Sequence, residues 1–291
     1  MFEKVLVAVD FSPFTDRLLG CADEFAAVGL REIILLHVLQ HPKELAGAAS
    51  EEVKEAQAKL ARMAEEIQHP GLSVRTLVEA GNPAQVIVNA ARRENVSFIY
   101  TGAHGRGLVD RLTLGSVSDA VLKLADRPVM ILQCRTVRQN DSYTCETACD
   151  TLLRHALVAS DFSTYFESLK PVLEEFAGSF RVPMTLLHVQ PGGKAYRFSA
   201  SLSLKNRAKQ NLNRLQELRN CLADYCPRFD MQVIAGDPAV RIPEMAEELD
   251  ASLIVMGAFG KGGVLGEMLG SVTQKVVRHS LRPVLVLKPR A

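Results

Sequence analysis

The chain lacks an excess of either charge. Its 34 lysine and arginine residues nearly balance 33 aspartate and glutamate residues, which leaves a formal charge of +1 over 291 residues. A protein with so little net charge has no long-range field with which to attract nucleic acid or an anionic lipid surface. We therefore expect no nucleic-acid partner.

The chain also lacks a long apolar run, and from its opening residues we expect no secretory leader. No stretch approaches the roughly 18 apolar residues that cross a bilayer, and the opening letters MFEKVLVAVD begin a strand-like run almost at once. This start leaves no room for a basic segment, an apolar stretch and a cleavage site. We expect no membrane partner, a cytoplasmic location and reduced cysteines.

What the sequence does contain is an internal duplication. The letters KVLVAVDFS, residues 4–12, return as HALVASDFS 151 residues later, and IILLHV, residues 33–38, returns as MTLLHV at the same offset. The letters GNPAQVI and RPVMIL of the first half return as GDPAVRI and RPVLVL at an offset of 155. Since repeats at a fixed offset indicate copies of one unit, we predict two tandem domains. Their expected bounds are 1–137 and 153–291, with a linker over 138–152 that contains one short helical turn.

Short β-branched runs alternate with helical patterns in each copy. Strands such as VLVAV and IILLHV are continuously apolar, as expected when helices cover both faces of a sheet. The alternation predicts an α/β fold with a doubly wound, open, five-stranded parallel sheet in each domain. In the first copy we predict strands over 4–9, 32–39, 73–78, 97–101 and 129–133, and helices over 13–28, 51–68, 83–94 and 116–125. Ligands of such sheets bind beyond the carboxyl ends of the strands, near the topological switch point.

Three features are predicted to lie at those carboxyl ends. The first is a carboxylate directly after the first strand, Asp10 or Asp161. A helix cap is the structural alternative, but the serine two residues later is the better N-cap. We therefore expect the carboxylate to be free to face a ligand.

The second feature is a His-Val pair near the end of strand two, which involves Val38 and Val189. The histidines, His37 and His188, are typical of satisfied core or edge residues. The valine backbone is the more interesting group, since its carbonyl and amide can pair with the edge of a heterocycle.

The third feature is a glycine motif that occurs in both copies. Gly102-Ala-His-Gly105, nine residues and Gly115-Ser116 return as Gly257-Ala-Phe-Gly260, nine residues and Gly270-Ser271. Glycines let backbone amides approach a ligand, and a helix opened by Gly-Ser offers unpaired amides to an anion. A glycine-rich turn with no ligand is the alternative, but its duplication favours a phosphate site.

Other motifs are absent. Val255 stands where the first glycine of a Walker A loop would be, and DFSPFT and DFSTYF occupy the position of a dinucleotide fingerprint. The cysteine spacings do not match the usual zinc pairs, which leaves Cys145 and Cys149 as the best candidates for a metal or redox role. We assign no metal-ligating side chain.

These residues together resemble the universal stress protein family in its tandem form. Both TGAHGRGLVDRLTLGS and MGAFGKGGVLGEMLGS fit the family's ATP-binding signature, Gly-x-x-Gly, nine residues, Gly-Ser/Thr. The resemblance implies the fold of the adenine nucleotide alpha hydrolase-like proteins, with strand order 3-2-1-4-5. It also implies pairing of the two domains through their last strands, with a homodimer as a further option.

The resemblance implies a set of nucleotide-binding residues. The aspartates and valines would face adenine, the glycine pairs would line the ribose and phosphates, and the Gly-Ser-Val segments would hold phosphates that a magnesium ion bridges. The residues are Asp10, Val38, Gly102, His104, Gly105, Gly115, Ser116 and Val117 in the first copy, and Asp161, Val189, Gly257, Gly260, Gly270, Ser271 and Val272 in the second. The copies depart from the family pattern at Thr101 and Phe259, respectively, without loss of a donor.

The function that follows is binding of ATP, ADP or AMP in a stress response. No carboxylate is spaced to position an attacking water, so we assign no catalytic residue and expect slow hydrolysis or none. The alternative is a scaffold that binds partners without nucleotide.

Overall fold

A computed structural model describes residues 2–12, 22–40, 48–67, 69–103, 114–133, 135–139, 142–146, 151–191, 201–260 and 269–289. The chain divides into two compact units. The first unit comprises residues 1–148 together with 290–291, and the second comprises residues 149–289.

The first domain is a five-stranded sheet in which every neighbouring pair of strands is parallel. Its strands are β1 (Lys4–Val9), β2 (Glu32–Leu39), β3 (Ser73–Ala80), β4 (Phe98–Gly102) and β5 (Val129–Leu132). Their order across the sheet is β3-β2-β1-β4-β5, which confirms the predicted order 3-2-1-4-5. The helices are α1 (Ala22–Ala27), α2 (Ala48–Glu66), α3 (Pro83–Arg93) and α4 (Ser116–Leu124). The start of the helix predicted from residue 13 lies outside the described residues.

The second domain repeats this architecture. Its strands are β8 (Ala156–Ala159), β9 (Met184–Pro191), β10 (Phe229–Gly236), β11 (Leu253–Gly257) and β12 (Val284–Leu287), in the order β10-β9-β8-β11-β12. All four neighbouring pairs are parallel. The helices are α5 (Thr164–Ser168), α6 (Lys170–Phe180), α7 (Ser201–Leu222), α8 (Pro238–Glu248) and α9 (Ser271–His279).

The cores of both domains are built on the central strands. Every residue of β4, β5, β8, β11 and β12 is buried, as a sheet covered on both faces requires. Large side chains such as Tyr100 and Phe176 are almost fully buried beside them. Burial of one such apolar side chain stabilises a domain by about 1.5 to 3 kcal/mol, so the strand ends are held on a rigid base.

Each third strand ends in a turn that only glycine adopts readily. Gly81 has φ +141° and Gly236 has φ +148°, and a β-carbon on Gly236 would lie 2.6 Å from Cγ of Arg241. The next residue caps the following helix, since Asn82 accepts a hydrogen bond from the amide of Gln85 and Asp237 accepts one from that of Ala239. The repeated Gly-Asn/Asp-Pro letters are therefore a strand-to-helix turn.

The expected helical turn in the linker is wrong for the described residues. The segments β6 (Arg135–Gln139) and β7 (Ser142–Glu146) form an antiparallel two-stranded hairpin, in register from Arg135 opposite Glu146 to Gln139 opposite Ser142. β-Branched and aromatic residue types such as Thr136, Val137 and Tyr143 favour extended backbone. The letters Asn-Asp between the two strands are common turn residues, which were overlooked as a hairpin signal.

No helix among the described residues is long and apolar enough to cross a membrane.

Candidate functional site

The candidate site in each domain lies at the carboxyl ends of the strands where the chain order reverses. In the first domain this point falls between β1 and β4, which are neighbours in the sheet. In the second it falls between β8 and β11. Crevices at such switch points are the usual ligand sites of open α/β sheets.

The aspartate carboxylate is not free, contrary to the expectation from sequence. Asp10 Oδ1 accepts a hydrogen bond of 3.0 Å from the amide of Ser12, and Asp161 Oδ1 accepts one of 3.0 Å from the amide of Ser163. An aspartate side chain closes such a turn readily because its oxygen reaches the amide two residues on. The expected cap is confirmed in the second domain, where Ser163 Oγ accepts a hydrogen bond from the amide of Phe166.

The turn around each aspartate contains a phenylalanine with left-handed backbone. Phe11 has φ 57° and Phe162 has φ 56°, which is an uncommon conformation for a residue with a bulky side chain. The phenylalanine ring lies against a histidine ring in both domains, with centroids 4.2 Å apart for Phe11 and His37 and 4.4 Å apart for Phe162 and His188. Equal strained turns in both copies indicate that the turn is part of the site and not an accident of one loop.

Each histidine joins the end of strand two to the turn. Nδ1 of His37 donates to the carbonyl of Val9, and Nδ1 of His188 donates to that of Ser160, both over 2.7 Å. Since a carbonyl only accepts, Nδ1 carries the proton in each ring. This contact confirms the expectation that the histidines are satisfied within the protein.

The valines that follow the histidines extend beyond the end of the first strand. In the first domain the pairing of β1 with β2 ends at Val9 opposite His37, while β2 continues against β3 through Val38. In the second domain the pairing of β8 with β9 ends at Ala159 opposite Leu187, so Val189 also lies past that end. The valine backbone therefore borders the crevice on the side of the first strand.

The glycine motif is in direct contact with the aspartate turn. A β-carbon on Gly260 would lie 2.9 Å from Oδ2 of Asp161, which is closer than real side chains approach. Only a glycine fits here, because the carboxylate of Asp161 occupies the space that a side chain would need. The first and third predicted features thus meet at one point.

Other glycines of the motif have packing reasons. A β-carbon on Gly257 would lie 3.0 Å from Cδ1 of Leu169 and 3.4 Å from Cε1 of Tyr165, on the helix side of β11. A β-carbon on Gly270 would lie 3.1 Å from the carbonyl oxygen of Ala258. The motif therefore also serves close packing between the strand end and the next helix.

Hydrogen bonds fix the Gly-Ser helix start against the strand end in the same way in both domains. The amide of Gly115 donates to the carbonyl of Ala103, and that of Gly270 donates to the carbonyl of Ala258, over 2.7 and 2.9 Å. Two residues after each Gly-Ser serine, a hydroxyl donates to the carbonyl of the first glycine of the motif, with Ser118 bonded to Gly102 over 2.7 Å and Thr273 to Gly257 over 2.8 Å. The first amides of α4 and α9 have no partner within their helices, and the helix dipole adds positive potential there.

The serines at these helix starts are accessible. Ser116 and Ser271 are exposed, and Val117 and Val272 are partly exposed. Since the caps Gly115 and Gly270 carry no side chain to bond the first amides, an anion can approach these amides closely.

Most predicted site residues come together in each domain. Asp10 with Val38 and Gly102 with Gly115 and Ser116 lie at the carboxyl edge of the first sheet, and Asp161, Val189, Gly257, Gly260, Gly270 and Ser271 lie at that of the second. His104 and Gly105 lie outside the described residues.

Sequence reasoning missed the residues that hold the aspartate turn. These are Phe11 and Phe162, Ser160, and the basic residues Lys59 and Arg214 on α2 and α7, which lie over the phenylalanine rings. The letters Asp-Phe-Ser occur unchanged in both copies, which was the available signal for the phenylalanines. No pattern in the sequence marked the basic residues.

Metal ligands are not clustered in the described part of the chain, where no group of three His, Cys, Asp or Glu side chains converges. Cys149 and the side chain of Cys145 lie outside the described part of the chain.

Comparisons with known proteins agree on one family. The model of the universal stress protein family matches residues 1–133 and 153–288. A universal stress protein of Mycolicibacterium smegmatis is 27% identical over 98% of this chain and 97% of its own length. Universal stress protein MJ0577 of Methanocaldococcus jannaschii is 28% identical over 46% of this chain and 96% of its own length. Among solved structures, a universal stress protein from Archaeoglobus fulgidus is 26% identical and matches with a TM-score of 0.71 over 99% of both chains.

Proposed function

The chain belongs to the universal stress protein family in tandem form, and from this premise we propose that it binds adenine nucleotides at both sites in a stress response. The observation that carries the proposal is the contact of the Asp161 carboxylate with Gly260 at the switch point. It joins a hydrogen-bonding group suited to a heterocycle to a glycine that lets a phosphate chain approach the backbone.

The two ends of the crevice suit the two ends of a nucleotide. The carboxylate and the valine backbone offer acceptors and donors to the edge of adenine, and the amides at the helix starts offer donors to phosphate. The proposed residues are Asp10, Val38, Gly102, His104, Gly105, Gly115, Ser116 and Val117 for the first site, and Asp161, Val189, Gly257, Gly260, Gly270, Ser271 and Val272 for the second.

The cofactors proposed are ATP or AMP, with magnesium bound through the phosphates of ATP. The sequence contains no Walker A motif and so no lysine of the P-loop kind, and we propose slow hydrolysis or none. Bound nucleotide would then act by favouring one of two conformations of the protein, for which it must have different affinities.

The family resemblance also suggests an assembly. We propose that the segments 127–132 and 282–287 support pairing of the two domains within one chain in the cytoplasm, with homodimers as a second level. Light scattering coupled to size-exclusion chromatography measures whether homodimers form. A mass that stays at that of one chain over the accessible concentrations excludes the homodimer.

The binding proposal is tested with the purified full-length chain. Isothermal titration with ATP and magnesium should show two binding events, and heated, clarified protein should release ATP, ADP or AMP detectable by chromatography. Absence of released nucleotide together with absence of a calorimetric signal favours the alternative, a scaffold that works without nucleotide.

Serine variants locate the phosphate end. Ser271→Ala removes one exposed hydroxyl donor without adding bulk, so we expect about a three- to tenfold loss of affinity at the second site. Ser73→Ala, an exposed serine at the opposite end of the first sheet, is the matched control and should bind like the unaltered protein. Equal affinity of Ser271→Ala and the control contradicts the proposed position of the phosphates.

A further inference from the structure

Two hydrogen bonds and one cation–π contact, all involving Phe162, hold the aspartate turn of the second site. The amide of Phe162 donates to Oγ of Ser160 over 3.2 Å. A guanidinium nitrogen of Arg214 donates to the carbonyl of Phe162 over 3.0 Å, and the same guanidinium lies 4.4 Å from the centre of the phenylalanine ring. One residue of α7 thus binds both the backbone and the ring of the strained residue next to Asp161.

The first site has different residues at the equivalent positions. Val9 stands where Ser160 stands in the second copy and has no hydroxyl. Lys59 of α2 occupies the position that corresponds to Arg214, because an offset of 155 residues relates the later parts of the two copies. Its ammonium group lies 5.5 Å from the centre of the Phe11 ring and donates to Glu55 over 2.6 Å. Arginine's planar fork stacks and donates at once, which a lysine ammonium does not do.

These contacts bear on the carboxylate because the turn sets its direction. Left-handed backbone is unfavourable for an aromatic residue, so the turn depends on contacts that keep Phe162 in place. Within that turn Asp161 Oδ1 is bonded to the amide of Ser163, and Oδ2 lies against Gly260. If Phe162 relaxes, the carboxylate leaves the position in which it faces the crevice.

We infer that Arg214 is a positioning residue that holds the Asp161 carboxylate ready for adenine, and that the second site therefore binds adenine nucleotides more tightly than the first. The inference rests on the proposed function and adds a ranking of its two sites. Lys59 supports the Phe11 ring through its ammonium group and Val9 has no hydroxyl, so the first turn holds Asp10 less firmly before ligand arrives, which lowers affinity.

A direct contact of Arg214 with phosphate is the competing explanation, and two ligands separate it. Adenosine has no phosphate, so the positioning role predicts the same loss of affinity for adenosine and for ATP. A phosphate contact predicts a loss for ATP alone.

The binding experiment uses the full-length chain with Gly115→Val, which blocks the first site, and titrates ATP with magnesium and adenosine in separate runs. We expect Arg214→Lys and Arg214→Gln each to weaken both ligands about tenfold, because the lysine variant keeps the charge but loses the planar fork. Arg219→Lys, an exposed residue of the same helix, is the matched control. Unchanged affinity in both Arg214 variants, or a loss for ATP alone, overturns the positioning role.

A ligand-free measurement keeps the inference separate from the proposed function. Amide hydrogen exchange of Ser163, followed by NMR in the otherwise unaltered chain, should accelerate about tenfold in Arg214→Lys and not in the control. Unchanged exchange overturns the inference even if nucleotides bind. Failure of the unaltered protein to bind either ligand overturns the proposed function, and with it the ranking of the sites, while exchange still decides whether Arg214 holds the turn.

The reciprocal exchange tests the ranking. In a chain with Gly270→Val, which blocks the second site, Lys59→Arg combined with Val9→Ser should tighten adenosine and ATP at the first site by about three- to tenfold. If the unaltered first site already binds as tightly as the second, the ranking is overturned.

Discussion

The two domains are nearly identical at the carboxyl edge of their sheets and different at the amino edge. At the carboxyl edge both have the aspartate turn, the left-handed phenylalanine and the histidine bonded to the strand before it. At the amino edge Lys4 of the first domain is 3.1 Å from Glu32 in an ion pair, whereas His155 at the equivalent position of the second is bonded to Thr185. The strained turn has therefore kept the same three letters, Asp-Phe-Ser, in both copies, while the side-chain pairs at the amino edge differ between them.

The largest loss of stability should come from replacing a serine that occurs at the same position of both amino edges. Ser252 is fully buried, and its Oγ accepts from the amides of Arg154 and His155 over 3.1 and 2.9 Å. Ser97 does the same for Glu3 and Lys4 over 3.2 and 3.3 Å. Ser252→Ala leaves these two amides without this acceptor and the carbonyl of Leu152 without its donor, and it should lower the free energy of unfolding of the second domain by about 2 to 3 kcal/mol, against about 1 kcal/mol for Ser97→Ala in the first.

The measurement must separate the domains, because a two-domain chain has no single unfolding transition. Pulsed hydrogen exchange at increasing urea, read by mass spectrometry on peptides from each domain, gives one curve per domain. Each serine variant should shift only the curve of its own domain. Equal shifts for the two variants contradict the difference in burial and bond length from which the ranking follows.

Much of this architecture could be predicted because local sequence patterns determine it. Continuous apolar runs predicted the buried strands, and the duplication predicted two equal sheets. The helical turn expected in the linker was wrong for the described residues, since the polarity of this segment was given more weight than its β-branched residue types, which favour the hairpin of 135–139 and 142–146.

The interior of the site could not be predicted in the same way. The free carboxylate was wrong because a turn with left-handed Phe162 brings the amide of Ser163 onto Asp161, and no sequence pattern encodes that backbone angle. The contact between Gly260 and Asp161, 99 residues apart in the chain, follows only from the sheet order. Arg214 reaches the turn from a helix whose register in space the sequence does not fix.

The two amino edges should also differ, by a smaller amount, in how the stability of their domains depends on pH. Burial lowers the pKa of His155 below its ordinary value, and the charge of Arg154 acts in the same direction, while a hydrogen bond with the backbone of Leu249 opposes them. The charge of Asp230 raises that pKa and the charge of Arg228 lowers it, each to a smaller extent. The folded domain therefore resists protonation, so the stability contributed by neutral His155 is present above the unfolded pKa of about 6.5 and is lost as the pH falls below it.

The pH test compares the unfolding midpoint of each domain in the unaltered chain with that of the same domain in a variant without His155. Between neutral pH and mildly acidic pH, the thermal unfolding midpoint of the second domain should fall by a few degrees more in the unaltered chain than in His155→Gln, which keeps polar groups near Thr185 but does not titrate. The first domain of the His155→Gln chain is the internal control and should keep the pH dependence that it has in the unaltered chain. A midpoint equally sensitive to pH in His155→Gln and in the unaltered chain assigns the effect to other groups.

The smallest effect should come from the exposed ion pairs of the first amino edge. Arg75 is bonded to Glu32 over 2.6 Å and to Glu94 over 2.7 Å, and its hydrogen bond holds the pKa of Glu94 below the ordinary value. Because the Arg75 side chain is 44% exposed, Arg75→Ala should lower the free energy of unfolding of the first domain by only about 0.5 kcal/mol. The loss should disappear at about 1 M salt, where screening acts within about 3 Å. It should also shrink as the pH falls below the unfolded pKa of Glu94 and vanish below the lower folded pKa, where the folded carboxylate loses its charge.

Asp230 stands at the position of Arg75 in the second domain and lies 3.6 Å from Arg228, with both side chains largely exposed. Asp230→Ala is the matched control and should change the unfolding of the second domain by less than the scatter of the urea curves. If Arg75→Ala costs as much as Ser252→Ala, or if its cost persists in high salt, the amino edge of the first domain is held by buried packing of the arginine stem and not by exposed charge.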